Sequence, residues 1–232
     1  MRIKINLSPT DKTLPKHNQN IVNSYIHKCL GKDNIYHDSK NNYSVSSLKG
    51  VKLIEGTDEV SFSDGGYIVV TSQDMEFLNK LIMGLFSNTQ FGYGITYLGL
   101  DHIEEKFYNG WNHFYTLSPF IIKNYSSKTK YNFITLDDDG FEGTVKSYLM
   151  NKLNKIDSSL DLTDFDIKIP NCNSRKVRKV IVKNVKNVAN ACHISVHTNK
   201  KVAELLYNIG IGQSTGSGFG TIYKTENHRF YR

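Results

Sequence analysis

The chain has 232 residues, 39% hydrophobic and 12% aromatic, enough to build a sizeable core in one large domain or two small ones. Its 29 Lys and Arg outnumber 22 Asp and Glu, giving a net charge of +7, which points to a polyanionic partner, nucleic acid before anionic membrane. Composition argues against three classes: no apolar run approaches ~18 residues, the N-terminus lacks the apolar core of a signal peptide, and Cys29, Cys172 and Cys192 are too dispersed for a zinc ribbon or disulfide framework, so a cytoplasmic location without membrane contact is expected.

Met1 to Ser8 alternates Ile3, Ile5 and Leu7 and predicts a strand. Asn18 to Leu30 predicts a helix, with Ile21, Val22, Tyr25, Ile26, Cys29 and Leu30 on one side and Gly31 as its stop. His27 falls opposite that stripe and is expected to be exposed. A polar loop follows, carrying Tyr36-His37-Asp38. Strands are predicted at Tyr43 to Leu48 and Gly66 to Thr71, then a helix capped by Ser72 with Phe77, Leu78, Leu81, Ile82 and Leu85 inward, then a strand from Ile95 to Leu100. Strand, helix, strand, strand, helix, strand is the ferredoxin-like order, with two helices over one face of a four-stranded sheet.

The second half repeats the theme. Strands are expected at Phe114 to Lys123 and Lys130 to Leu136, a helix from Phe141 to Ile156, and strands at Phe165 to Ile169, Val177 to Val182 and His193 to His197. Asn199 opens a short helix. The fold class is therefore α+β, two tandem ferredoxin-like domains with antiparallel sheets and helices on one face, divided as 1–105 and 106–232.

Several groups bear on chemistry. Asp137-Asp138-Asp139 reads as a turn before a helix N-terminus rather than a cation site. His193 and His197, on a strand, stand about 13 Å apart on one face, too far to share an ion, so no metal site is assigned. Gly216-Ser217-Gly218 is not the nucleophile elbow of a serine hydrolase. Arg175, Lys176, Arg178, Lys179, Lys183 and Lys186 interleave with Val177, Val180 and Val182, as in a strand or hairpin laid along a phosphate backbone or a lysine-protected edge. His37, in a polar loop near Lys40 and Lys49, suits general acid–base work because its ordinary pKa lies near neutral pH.

The densest signal is Gly210-Ile-Gly-Gln-Ser-Thr-Gly-Ser-Gly-Phe-Gly220, five glycines in eleven residues. It lacks the lysine of a P-loop. Its position after the last predicted helix excludes a dinucleotide fingerprint, which opens its fold. A flexible turn and a backbone surface that contacts phosphate remain open.

Gly210-Ile-Gly212 followed by Gly218-Phe219-Gly220, near the end of a basic chain of this length, resembles the glycine-rich signature of the CRISPR repeat-processing endoribonucleases, the Cas-six-type members of the RAMP superfamily. The loop histidine after the first helix, and the strand at Tyr43 to Leu48, are similar too. The resemblance implies a metal-independent and cofactor-free endoribonuclease that cuts CRISPR precursor RNA within each repeat through 2′-OH attack. It implies His37 and His27 as acid and base, their roles unassigned. Lys40, or failing it Lys49 or Lys52, would stand by the phosphorane. RNA contact is expected at Gly210, Gly212, Ser214, Thr215, Gly216, Ser217 and Gly218 and at Arg175, Lys176, Arg178 and Lys179. The glycine stretch departs from the common pattern in having no basic residue between Gly212 and Gly218. Repeat RNA is the implied partner, with effector-complex subunits and a second copy of the chain left open. The alternative is a RAMP-type RNA-binding subunit that does not cut.

Overall fold

The computed structural model describes residues 1–31, 34–36, 42–127 and 131–226. His37 and Lys40 lie outside the described residues. In chain order the first half contains β1 (Arg2–Leu7), β2 (Thr10–Pro15), α1 (Gln19–Leu30), β3 (Tyr43–Val45), β4 (Lys52–Leu53), β5 (Glu59–Phe62), β6 (Gly66–Ser72), α2 (Met75–Ser87), β7 (Gln90–Gly92) and β8 (Ile95–His102). The second contains β9 (Gly110–Thr116), β10 (Ile122–Tyr125), β11 (Tyr131–Ile134), α3 (Phe141–Ile156), β12 (Asp166–Lys168), β13 (Lys176–Val182), β14 (Val185–Ala191), β15 (His193–Thr198), α4 (Lys200–Ile209) and β16 (Ile222–Lys224).

The two main sheets have matching topology. One runs β3-β6-β1-β8-β7 and the other β12-β15-β9-β16, with antiparallel neighbours. In each, the first strand sits between the third and fourth, the ferredoxin-like arrangement. Alternation along β1 explains the layers. Ile3, Ile5 and Leu7 join Val22, Ile26, Phe77, Leu81 and Leu85 of the two helices in one core, while Lys4 and Asn6 remain on the open face. The second core gathers Phe114, Val145, Leu149, Leu153, Ile194, Val196, Val202 and Leu206. No helix among the described residues is long and apolar enough to cross a membrane.

Periodicity located the helices and central strands, with a correction at one cap. Asp74, not Ser72, caps α2, accepting a bond from Phe77 N at 3.0 Å, while Ser72 Oγ accepts from Asp74 N. The expected strand from Phe114 to Lys123 is two strands, because Ser118 and Pro119 interrupt it. The three-stranded insertion was not foreseen, whereas a hairpin was one of the two expectations for the basic stretch Arg175 to Lys186. A three-stranded sheet, β2-β5-β4, stands beside the first domain, and ribbons β10–β11 and β13–β14 project from the second.

The two sheets are tied by polar bonds. Arg2 donates to Ile222 O at 2.6 Å, Thr71 Oγ1 to Asn208 O at 2.7 Å, and Ser47 N to Ser118 Oγ at 2.7 Å. Ser44 Oγ and Thr221 Oγ1 meet at 2.5 Å. Arg2, buried at 3% exposure, also lies 4.4 Å from the Tyr207 ring centroid. These bonds satisfy buried polar atoms from the opposite domain, while Arg2 Nε is buried without a hydrogen-bond partner among the described residues.

Candidate nucleic-acid interface

The loop after α1 has described anchors on both flanks. Tyr36 packs edge-on against Phe77 at 5.0 Å and Tyr43 stacks on the same ring at 4.3 Å. Phe77 therefore fixes the exit and the return of the segment that carries His37 and Lys40 in sequence. Asn42, five residues after His37 and two after Lys40, lines a pocket of about 530 Å³.

The opposite wall of that pocket is the start of the glycine stretch, Gly212 to Thr215, and its floor comes from α3 through Tyr148, Lys152 and Lys155. Among the described residues two lysines and no carboxylate line it. Lys152 Nζ donates to Gly210 O at 2.9 Å and Gly212 O at 3.2 Å, with Ile209 O at 3.4 Å. These are carbonyls at the C-terminal end of α4 and just beyond, where a cation is favoured. Burial pushes the Lys152 ammonium down to about 7. The glycine stretch, which has no basic residue of its own, thus rests on a lysine donor from α3.

The glycine stretch is wedged between the domains. Ile211 N donates to Gly220 O at 2.9 Å and Gln213 N to Ile121 O at 2.9 Å. Thr215 Oγ1 donates to Tyr43 O at 2.8 Å, and Ser217 O accepts from Asn23 Nδ2 at 3.4 Å. Gly210, Gly212, Thr215, Gly216 and Gly218 are buried, Ser217 is half-buried and Ser214 is exposed. Most of the stretch therefore acts as a brace, and Ser214 is its outward-facing hydroxyl.

His27 is half-buried, not exposed as its helical angle predicts. The angle itself is right, since His27 does lie away from the apolar stripe. The second domain meets the neighbouring part of this side: Asn23 bonds Ser217, and Asn20 accepts Lys183 N at 2.9 Å. One helix thus has two buried sides, the second hidden from a single-helix pattern.

Lys176, Arg178 and Lys179 are exposed on β13. The ribbon turns at Lys183 and Asn184, both with positive φ (46° and 63°), as a two-residue hairpin turn requires. Arg175 stands apart: half-buried, it bonds Leu136 O. Of the fallback lysines, Lys49 bonds Leu117 O across the seam and is pushed down to about 8 by burial and then by Arg178, while Lys52 pairs with Asp64 on the surface. In the triple-aspartate turn, Asp138 accepts from Thr135 N at 2.6 Å.

The sequence reading missed the open face of the second sheet. Register puts Trp111 opposite His197, His113 opposite Ser195, and Tyr115 between His193 and Tyr223. Trp111 and Tyr223 are exposed, and Lys168 lies 4.9 Å from the Trp111 ring. Burial raises the Tyr223 phenol, and neighbouring Tyr115 and Tyr67 add to it. Tyr67 belongs to the first sheet, where Lys4 approaches it at 5.2 Å. Rings and cations exposed side by side on the two sheets suit unpaired nucleic acid. The available signal was alternation in Trp111-Asn-His-Phe-Tyr115, whose odd positions are polar-tipped rings.

A family profile described as "CRISPR associated protein Cas6, C-terminal" matches residues 103–223. No curated protein matches the chain. Among solved structures it is similar to that described as "Characterization of a Cas6-related gene from Pyrococcus furiosus", at 20% identity and a TM-score of 0.84, covering 98% of this chain and 99% of that one. It is similar to "An RAMP protein binding different RNA substrates", at 18% identity and a TM-score of 0.83, covering 97% and 100%. A Cas6 product complex aligns at 10% identity and a TM-score of 0.69, covering 97% and 99%. These likenesses establish the fold, two ferredoxin-like domains, and with the profile spanning more than half of its residues, the chain belongs to the CRISPR-associated Cas6 family.

Proposed function

We propose that the protein is an endoribonuclease that cuts CRISPR precursor RNA once in each repeat, without metal, leaving a 2′,3′-cyclic phosphate and a 5′-OH. The observation that carries this reading is the pocket between Asn42 and the glycine stretch, lined among the described residues by two lysines and no carboxylate, at the return of the segment to which His37 and Lys40 belong in sequence. Such a lining favours a phosphodiester over a cationic or neutral ligand. Family membership supports it, as does the likeness to a Cas6 product complex and to a RAMP protein that binds RNA.

In this mechanism one histidine of the pair His37 and His27 removes the 2′-OH proton. The 2′-oxygen attacks the adjacent phosphorus, and the bond from phosphorus to the 5′-oxygen breaks. The other histidine protonates the departing 5′-oxygen. Lys40 and the exposed Lys155 offset charge on the phosphorane.

The test is incubation with the host's repeat RNA in EDTA. Cleavage at one position per repeat is expected, abolished in His37→Ala and in RNA carrying 2′-deoxy at the scissile nucleotide, with binding retained in both. A bell-shaped pH–rate profile that loses one limb in His27→Ala is expected for the pair. Cleavage that stops in EDTA, or persists unchanged in His37→Ala, overturns the mechanism. Binding without cleavage of any repeat RNA establishes the non-cutting alternative.

A further inference from the structure

The β10–β11 ribbon carries an arrangement that folding alone does not require. Its register pairs Lys123 with Phe133 and Tyr125 with Tyr131, all on one face. Tyr125 and Tyr131 are 5.5 Å apart between ring centroids, and Tyr131 and Phe133 5.4 Å. Lys123 Nζ lies 4.2 Å from the Tyr131 centroid and 5.5 Å from that of Phe133. The ladder is buried only at its root, where Phe133 packs on Ile121, Val182, Ala189 and Phe219. At its outer end Tyr125 is 54% exposed.

The ribbon is fixed to the candidate pocket. Gln213, which lines that pocket, donates its backbone N–H to Ile121 O at 2.9 Å and its side-chain amide to Lys123 O at 3.3 Å. Tyr148 lines the pocket as well, and Tyr125 is close enough to act on its phenol electrostatically. On the other side β11 contacts β14, whose partner strand β13 bears Lys176, Arg178 and Lys179. An aromatic face thus joins a lysine-lined pocket to a basic ribbon.

Cross-strand aromatic pairs do stabilise a ribbon. That role accounts for Phe133 and not for the outward Tyr125 with a cation held beside the ladder. Rings that offer a π-face, with an ammonium on the same face, are what unpaired bases and their phosphates require. We propose that this face is a stacking site for unpaired nucleobases of the RNA flanking the pocket, with Lys123 meeting their backbone. The proposal rests on the RNA-processing reading above and names how the substrate's flank is held.

The experiment uses the full chain and non-cleavable repeat RNA, 2′-deoxy at the scissile nucleotide, with 2-aminopurine placed singly along the unpaired flank. Wild type is expected to quench at one or two successive positions. In Tyr125→Ala and Tyr131→Ala that quench is lost and affinity falls about 10-fold, within the range for loss of one stacked base. Tyr125→Phe keeps both, and because Tyr125 is exposed, its variants are expected to retain the wild-type thermal midpoint. Wild-type binding with unchanged affinity and quench in both alanine variants overturns the proposal alone, including the case in which the face meets a protein subunit. Failure of wild type to bind repeat RNA overturns it together with the functional reading.

Discussion

Thr215 Oγ1 donates to Tyr43 O at 2.8 Å, joining the glycine stretch to the first residue of β3. Tyr43 is also stacked on Phe77, so the bond connects the second domain to the anchor of the loop after α1. Thr215→Val retains shape and removes the donor. A loss of about 1 kcal/mol is expected from one buried hydrogen bond, read as a lower urea midpoint at unchanged slope. Because the bond holds the two walls of the pocket together, RNA cleavage is expected to fall further than RNA affinity. An unchanged urea midpoint contradicts the first expectation, and equal losses of cleavage and affinity contradict the second.

Glycine in this stretch is dictated by the brace. Gly220 has φ +66°, and a Cβ there runs into the backbone of Ile211, whose N–H bonds Gly220 O. Gly218 has φ +96°, and its Cβ meets the buried Gln19 side chain. Gly220→Ala is expected to cost at least about 2 kcal/mol, combining left-handed strain with a backbone clash. Gly218→Ala is expected to cost less, since a side chain yields more easily than a main chain. Thermal midpoints of the two variants check the order. A flexible loop predicts instead that neither variant moves.

How much of this was legible follows from where each signal resides. Ile3, Ile5 and Leu7 on β1, and the i, i+4 stripe of α1, repeat at the period of their own element, so they placed the cores and the tandem fold. The glycine stretch was visible as composition, yet whether it faces ligand or protein depends on Gln19, Asn23 and Tyr43, roughly two hundred residues away in sequence. Asn23 shows the same limit, since it bonds Ser217 of the other domain. The Lys152 bonds to Gly210 and Gly212 had no local signature. An isolated lysine on the polar side of a helix looks solvated until the tertiary neighbour is known.

Lys152 gives a pH dependence of definite sign. Its folded-state pKa, about 7, lies below the ordinary 10.5 because burial disfavours the ammonium. Between those values the unfolded chain holds a proton that the folded chain has released, so this group makes stability rise with pH across that window. Lys49, at about 8, acts in the same direction over a narrower range. Urea midpoints at pH 7, 8 and 9 are expected to favour wild type over Lys152→Met increasingly as pH rises. At pH 7 the variant is already weaker, because the carbonyls of Gly210 and Gly212 lose a donor. A difference that is flat with pH shows that the folded chain keeps its ammonium throughout, held by those same carbonyls.

The exposed cations of β13 lead to a prediction in ionic strength. Lys176 and Arg178 alternate along one face and Lys179 lies on the other, so the three do not act as one patch. Arg178 lies near enough to Lys49 to depress it, which directs that face toward the domain seam. If single-stranded RNA lies along the seam, Lys176→Gln and Arg178→Gln each remove about one phosphate contact. The slope of log affinity against log salt then becomes shallower by about 0.7 for each. Lys179→Gln, on the opposite face, is expected to leave the slope close to that of wild type. Fluorescence titrations of one unpaired oligonucleotide from 50 to 300 mM KCl separate the three variants. Equal effects from all three indicate non-specific attraction by net charge. No effect from any assigns the basic ribbon to edge protection, because lysines that only shield an open strand need no phosphate partner.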